Sequence, residues 1–193
     1  FSVEAPLELH RLLIPQRGST RIRVRFDPRP DYGRARVEMV QGARSLEVLG
    51  GPSRLYLHSN VPAPYLLNGR LFHADRPCYF VLSWGKPTDV DSVASVQRAL
   101  DLTIAGWRAW AKTCALPSFA APHVLRSALC LKLHASVDTG AIIAAATTSI
   151  PEALGTARTW DYRYCWLRDA AFVVEALRRL SQLAEGEAFV RFL

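Results

Sequence analysis

The sequence predicts a multidomain α+β chain, an antiparallel β-sandwich or barrel followed by helices without strands. Three observations point there. Residues 1 to about 85 break into short runs of alternating or apolar character separated by turn clusters. From about residue 89 the apolar period changes from two to that of a helix. No strand-like run returns after that change, so two architectures follow each other in one chain. The expected organisation is a β-sandwich domain over 1–85, a connecting helix and linker over 86–120, and a helical domain over 121–193.

In the first part, RIRVRF (21–26) alternates strictly, with Arg21, Arg23 and Arg25 on one face and Ile22, Val24 and Phe26 on the other. RARVEMV, SLEVLG, SRLYLH, RLFHA and CYFVLSW follow as further strands. Asp27-Pro28-Arg29-Pro30-Asp31, Gly50-Gly51-Pro52 and Asp75-Arg76-Pro77 punctuate them. Asn68-Gly69, between Leu66-Leu67 and Leu71-Phe72, carries the composition of a type I′ hairpin turn.

In the second part, Val93, Val96, Leu100, Ile104, Trp107 and Trp110 recur at helical spacing to about Thr113, with Asp89 or Asp91 as the expected N-cap. Leu116 to Pro122 reads as a loop. A helix over about 123–135 is apolar on most of its circumference, which predicts burial on several sides. Residues 155–164 read as a loop. A third helix is expected from near Asp169 to about Ala184, with Phe172, Val173, Ala176, Leu177, Leu180 and Leu183 facing a core; Gly186 punctuates its end and a further helix begins.

The chain carries a formal net charge of +7, which raises nucleic acid as a partner. Acids are interspersed with the arginines, and the densest basic run is the solvent face of a strand. No nucleic-acid partner is therefore expected. No apolar run reaches the roughly 20 residues that span a bilayer, so no membrane partner is expected either. The four cysteines, Cys78, Cys114, Cys130 and Cys165, lack C-x-x-C spacing and sit among apolar neighbours. They read as buried free thiols of a reducing compartment, and with no signal-peptide pattern at FSVEAPLELH the expected location is cytoplasmic. No metal cluster or cofactor motif is present, and none is expected.

The segment Trp160-Asp161-Tyr162-Arg163-Tyr164-Cys165-Trp166-Leu167-Arg168-Asp169 concentrates aromatic, basic and acidic side chains where a loop becomes a helix. Aromatic faces suit the apolar C–H faces of a sugar, and planar Arg and Asp groups suit neighbouring hydroxyls. Three structural readings stand beside this one. Asp169 can cap the third helix, Arg168 can pair with Asp161, and Tyr162 and Trp166, four apart, can both be core.

The run over 126–177 resembles the start of the catalytic domain of glycoside hydrolase family 15, which includes glucoamylases, glucodextranases and bacterial trehalases. The resemblance rests on RSALCLKL, TGAI, TTSIPE and WDYRYCWLRDA in that order. FDPRPDYGRARVEMV (26–40) is similar to that family's N-terminal β-domain, and WRAW (107–110) to the helix joining the domains. Two departures are Ala146, where relatives usually have Pro, and Gly155-Thr156-Ala157-Arg158-Thr159 in place of Gly-Gly-x-Arg-Asn.

The resemblance implies an N-terminal antiparallel β-supersandwich and the start of an incomplete (α/α)6 toroid. It implies exo-acting, inverting hydrolysis of α-glucosidic bonds in oligosaccharides, polysaccharides or trehalose, with a saccharide bearing a terminal α-glucosyl unit as partner. By the same resemblance Tyr162, Trp166, Arg168 and Asp169 bind that sugar. The catalytic acid and base are glutamates expected beyond Leu193, since Glu152, Glu175, Glu185 and Glu187 match neither motif, and the chain alone is expected to be inactive. The alternative is a non-catalytic carbohydrate-binding protein.

Overall fold

The computed structural model describes residues 6–147 and 153–193. Its order is β1 (Glu8–Leu13), β2 (Thr20–Ile22), β3 (Glu38–Gln41), β4 (Leu46–Leu49), β5 (Leu55–Ser59), α1 (Ala63–Leu67), β6 (Phe72–Ala74) and β7 (Cys78–Trp84), then α2 (Val93–Lys112), α3 (Ala121–Leu133), α4 (Leu167–Arg179) and α5 (Ala184–Phe192). The chain is thus an antiparallel sheet system followed by helices, an α+β arrangement. It divides into two compact units at Ile104 and Ala105, within α2. Among the described residues no helix is long and apolar enough to cross a membrane.

The first unit is built on a five-stranded antiparallel sheet of order β1-β7-β5-β4-β3, with β2 and β6 forming a separate pair. Leu9 lies opposite Leu82, Arg11 opposite Phe80 and Leu13 opposite Cys78. Side chains alternate along a strand, so these residues share one face. That face packs Leu46, Leu57 and Cys78 with Val61 and Leu66, joined by Val24, Phe26 and Tyr65. The opposite face sets Tyr79 and Val81 against Val96 at the start of α2, with Leu12, Val90 and Val93 around them.

Three strand expectations change here. Of the RIRVRF run only Arg21 and Ile22 are hydrogen-bonded as strand, in Thr20–Ile22 pairing with Phe72–Ala74. The alternation nonetheless holds: Val24 and Phe26 pack inward while Arg21, Arg23 and Arg25 are exposed. Asn68-Gly69 does not turn a hairpin. Pro64 opens α1, and the Asn68 and Arg70 N–H groups bond back to the carbonyls of Pro64 and Tyr65, with Gly69 left-handed at φ 55°. The dipeptide ends a helix because the same left-handed freedom serves a helix C-terminus as well as a turn. The sequence reading also passed over β1, whose ELHRLL pattern alternates only weakly in hydrophobicity.

Gly50 sits between β4 and β5 at φ 99°, where a Cβ would lie 1.9 Å from the Arg36 carbonyl oxygen. Glycine is required there.

The N-cap of α2 is neither aspartate. Ser92 Oγ accepts the Ser95 N–H at 3.2 Å, while Asp91 accepts the Ser95 hydroxyl at 3.1 Å. α3 begins at Ala121, with Pro122 in its first turn. It is less buried than its composition implies: Ala128 is its one fully buried residue, and Leu133 is exposed. α4 stops at Arg179 rather than near Ala184, because Ser181 takes a left-handed φ of 62° and turns the chain. Phe172 and Leu183 face outward, while Ala170 and Leu177 are buried. Gly186 lies inside α5 instead of ending a helix, and a Cβ there would sit 3.1 Å from a Val174 methyl, so it brings α5 close against α4.

The polar centre of the second unit is an ion pair. Lys132 Nζ of α3 lies 2.6 Å from Glu185 Oε1 of α5, and Glu185 is only 6% exposed. Trp110 Nε1 of α2 donates to the same oxygen at 3.3 Å. Burial is the largest influence on Glu185 and acts to raise its pKa. Hydrogen bonds from Lys132, the backbone and Trp110, with the Lys132 charge, outweigh it and hold the carboxyl below the usual range.

The second packing focus is Ile142, Ala170 and Phe189, with Cys165, Val173 and Val174 around them. All four cysteines are free thiols, but only Cys78 is buried; Cys114 and Cys165 are half-buried, and Cys130 is exposed because it falls on the open side of α3.

Two predictions follow from this unit. Gly140 has φ 80°, and a Cβ there would meet the Ala188 carbonyl oxygen at 2.2 Å. Gly140→Ala is expected to lower stability by more than about 2 kcal/mol, from left-handed strain plus displacement of α5, read by urea denaturation. Lys132→Met leaves a buried carboxylate unpaired and is expected to cost about 3 kcal/mol at neutral pH. The sign with pH distinguishes it. In the native chain Glu185 contributes stability above its unfolded value near 4.5 that is lost as pH falls through its lower folded value. In Lys132→Met the unpaired carboxyl is pushed upward, so acidification below neutrality raises that variant's stability relative to its value at pH 7.

Candidate functional site

The end of α3 and the two segments after it build the site from the backbone outward. Ala135 and Ile142 form an antiparallel bridge around the Asp138-Thr139-Gly140 turn. The Ser136 N–H donates to the Ala141 carbonyl at 2.8 Å and the Ile143 N–H to the His134 carbonyl at 3.1 Å. Ile142 is thereby driven into the core against Ala170 of α4. The small residues that follow expose their backbone to a neighbour. Ala144 N–H donates to the Tyr164 carbonyl at 3.1 Å and Ala145 N–H to the Tyr162 carbonyl at 2.8 Å. Small side chains are what allow this close approach of two irregular strands.

Tyr162 and Tyr164 are pinned by their carbonyls, so their rings are carried at the surface. Tyr162 and Trp166 ring centroids lie 5.9 Å apart at 36°, and Trp160 meets Trp166 edge-on at 6.4 Å. Asp161 closes the loop below them. Its carboxylate accepts Arg163 Nε at 3.0 Å and a terminal guanidinium nitrogen at 2.8 Å, as well as the Arg163 N–H at 3.0 Å. Trp166 Nε1 reaches the Asp161 carbonyl at 3.5 Å.

Trp166 is the residue before α4, in extended conformation, and no side chain caps the helix. Asp169 is therefore not the N-cap; it lies in the first turn, where the helix dipole favours a carboxylate. Arg168 does not pair with Asp161, whose carboxylate is committed to Arg163. Arg168 instead bonds Asp169 at 3.1 Å, and three quarters of its side chain is exposed. Tyr162 and Trp166 are partly exposed, so they are not core on a shared helical turn. The four residues singled out from sequence thus form two pairs at the entry to α4, a tilted, partly exposed aromatic pair and an accessible cation beside an anion.

Two glutamates of the second unit, Glu175 of α4 and Glu185 of α5, are held below the usual carboxyl range. Hydrogen bonds from Arg178 and Arg179 draw the exposed Glu175 carboxyl down to about 2, and Lys132 and Trp110 hold Glu185 low. A general acid needs the opposite shift, toward the working pH. Glu152 lies outside the described residues, and so does most of the TTSIPE motif. Among the described residues no group of three or more His, Cys, Asp or Glu side chains is placed to hold a metal.

Sequence reading passed over His134. Its Nε2 accepts the Ala146 N–H at 3.0 Å and its Nδ1 lies 2.7 Å from the Cys130 carbonyl. The signal in the sequence is Ala146, where the resemblance implies proline, since proline has no N–H to give.

Comparison with known proteins bears on this segment. Residues 119–193 match the family model of glycosyl hydrolases family 15. A trehalase of Thermoplasma acidophilum is 41% identical over 105 residues, covering 54% of this chain and 17% of that protein. A trehalase of Mycolicibacterium smegmatis is 34% identical over 116 residues, covering 60% of this chain and 17% of its own. Trehalase 2 of Sulfolobus acidocaldarius is 48% identical over 54 residues, 28% of this chain and 9% of that enzyme. The aligned part of the chain thus spans about a sixth of the first two enzymes. No solved structure shows a significant match. These matches support a fragment of glycoside hydrolase family 15, with residues 119–193 carrying the similarity to the family model.

The Asp161–Arg163 pair generates a prediction. Asp161→Asn keeps the side-chain shape and removes the charge. It is expected to destabilise the second unit by about 1 kcal/mol, and adding Arg163→Gln is expected to cost less than the sum of the two single effects. A denaturation double-mutant cycle with fully additive effects would contradict the pairing.

Proposed function

We propose that this chain forms part of an inverting, exo-acting glycoside hydrolase that cleaves α-glucosidic bonds, and that Tyr162, Trp166, Arg168 and Asp169 hold the terminal glucosyl unit. The observation that carries the reading is the accessible run of aromatic pair, guanidinium and carboxylate at the start of α4. A pyranose presents an apolar C–H face to an aromatic ring and vicinal hydroxyls to planar charged groups. Arg168 donates, Asp169 accepts, and a hydroxyl pair can replace their mutual, solvent-exposed bond with little penalty.

Trehalose is the first substrate to test, because the relatives at 34–48% identity are named trehalase. Inversion requires an acid and a base about 6.5–9.5 Å apart, and we place both on helices beyond Leu193. The outward-facing Phe172, Leu183 and Val190 support this, since apolar helix faces of this kind suit further helices of an (α/α)6 toroid. The domain reading remains β-supersandwich over 1–85, linker over 86–120 and catalytic helices over 121–193. Four free thiols suit a reducing, cytoplasmic compartment. The partner we propose is saccharide rather than nucleic acid or membrane.

Arg168→Ala and Asp169→Ala are each expected to weaken trehalose binding about tenfold or more, since truncation leaves the other charge and a sugar hydroxyl unmatched. Calorimetric or NMR titration measures this, and unchanged affinity in both variants would defeat the site assignment. The 193-residue chain by itself is expected to release no glucose from trehalose; release by chain freed of host enzyme would show that the acid and base lie within it.

A further inference from the structure

The sugar-facing run is not held in place by its own side chains alone. Its backbone is tied through Tyr162 and Tyr164 carbonyls to the N–H groups of Ala145 and Ala144. The strand carrying those donors is tied in turn at two points by one residue, His134. The His134 carbonyl accepts the Ile143 N–H at 3.1 Å, and the His134 ring accepts the Ala146 N–H at 3.0 Å. The two attachments flank Ala144 and Ala145.

The ring is itself oriented. An acceptor role at Nε2 requires the proton on Nδ1, and Nδ1–H then points at the Cys130 carbonyl, 2.7 Å away and one helical turn back on α3. The imidazole is a rigid spacer between the C-terminal turn of α3 and the Ala144–Ala145 strand. Its tautomer is fixed by the two bonds together.

We infer that His134 is a positioning residue for the sugar-binding run, acting through Ala144–Ala146 on the backbone of Tyr162 and Tyr164. This rests on the reading of that run as a saccharide site. Ala146 belongs to the same device, because only a residue with a free N–H can meet the ring acceptor and a proline there could not.

Two near-isosteric variants separate the bridging role from mere occupancy. His134→Gln places an acceptor where Nε2 stands and keeps the bond to Ala146. His134→Asn places a donor where Nδ1 stands and keeps only the bond to Cys130. In the 193-residue chain, amide hydrogen exchange at Ala144 and Ala145 is expected to accelerate about tenfold in His134→Ala and His134→Asn. In His134→Gln it is expected to stay within about threefold of native. Trehalose affinity, titrated on the same samples by NMR, is expected to fall about threefold or more in the Ala and Asn variants and to recover in Gln. Exchange that is equal in all four proteins overturns the inference. So does native trehalose affinity in a His134→Ala chain whose two amides exchange faster. A native chain that fails to bind trehalose while its variants show the exchange pattern defeats the saccharide reading and leaves His134 as the anchor of the loop.

Discussion

The second unit depends on the contact of Lys132 with Glu185. It is the point at which α2, α3 and α5 meet through polar groups, because Trp110 donates to the same carboxylate oxygen. A buried ion pair is a poor source of net stability, since desolvating two charges offsets most of their attraction. Its value here is geometric. A carboxylate this buried tolerates only the position in which ammonium and indole both reach it, and Glu185 Oε2 finds no donor among the described residues. Sliding α5 along α3 would therefore break the bonds that offset the desolvation. With α5 fixed, Phe189 is set against Ile142 and Ala170, and Gly140 meets the Ala188 backbone. Ala170 is in the first turn of α4, directly after Arg168 and Asp169. The start of α4 is thus packed against a helix whose position depends on the Lys132–Glu185 pair.

The first unit is held differently. Its sheet has two covered faces with unlike covers: α1 and the 20–26 segment on one side, the first turns of α2 on the other. Val81 and Val96 are almost wholly buried, so hydrophobic contact rather than charge fixes the helix to the sheet. The arginines that dominate the net charge stand on the outside of this unit. Arg29 and Arg25 reach Asp27, drawing that carboxyl below its ordinary range, and Arg34 reaches Asp31. A basic composition is here largely a solvated surface with local partners.

The regular elements were legible wherever one period dominated. CYFVLSW is a strand from Cys78 to Trp84 as read, and SLEVLG and SRLYLH differ by a residue or so at each end. Legibility failed where one residue type serves two geometries. Asn68-Gly69 ends a helix because Pro62 and Pro64 before it favour a helical turn, a condition that the dipeptide does not carry. Leu180 and Leu183 extend the apolar period past Arg179, yet Ser181 turns the chain, and nothing in a serine announces a left-handed φ. The aromatic and charged residues of the 160–169 run were visible as a group from composition. Their arrangement was not. That Asp161 engages Arg163 and leaves Arg168 to Asp169 is decided by which backbone carbonyls the neighbouring strand captures, which is a tertiary property.

Charge assignment within the second unit also separates holding a sugar from breaking its bond. Inverting hydrolysis asks one carboxyl to remain protonated until it meets the leaving oxygen and a second to activate water on the far side. The cations beside Glu175 and Glu185 work against the first requirement of the proposed reaction. Arg178 and Arg179 draw Glu175 down to about 2, and Lys132 holds Glu185 below the usual carboxyl range. Arg168 and Asp169 are suited to the other task, because an exposed pair can exchange its mutual bond for two hydroxyls without burying a charge. Glu175 and Glu185 are thus held as structural anions, while the Arg168–Asp169 pair stays open to solvent, the arrangement on which the proposed saccharide site rests. A proton donor for the reaction would have to come from a carboxyl standing apart from these cations, against an apolar wall that raises rather than lowers its affinity for the proton.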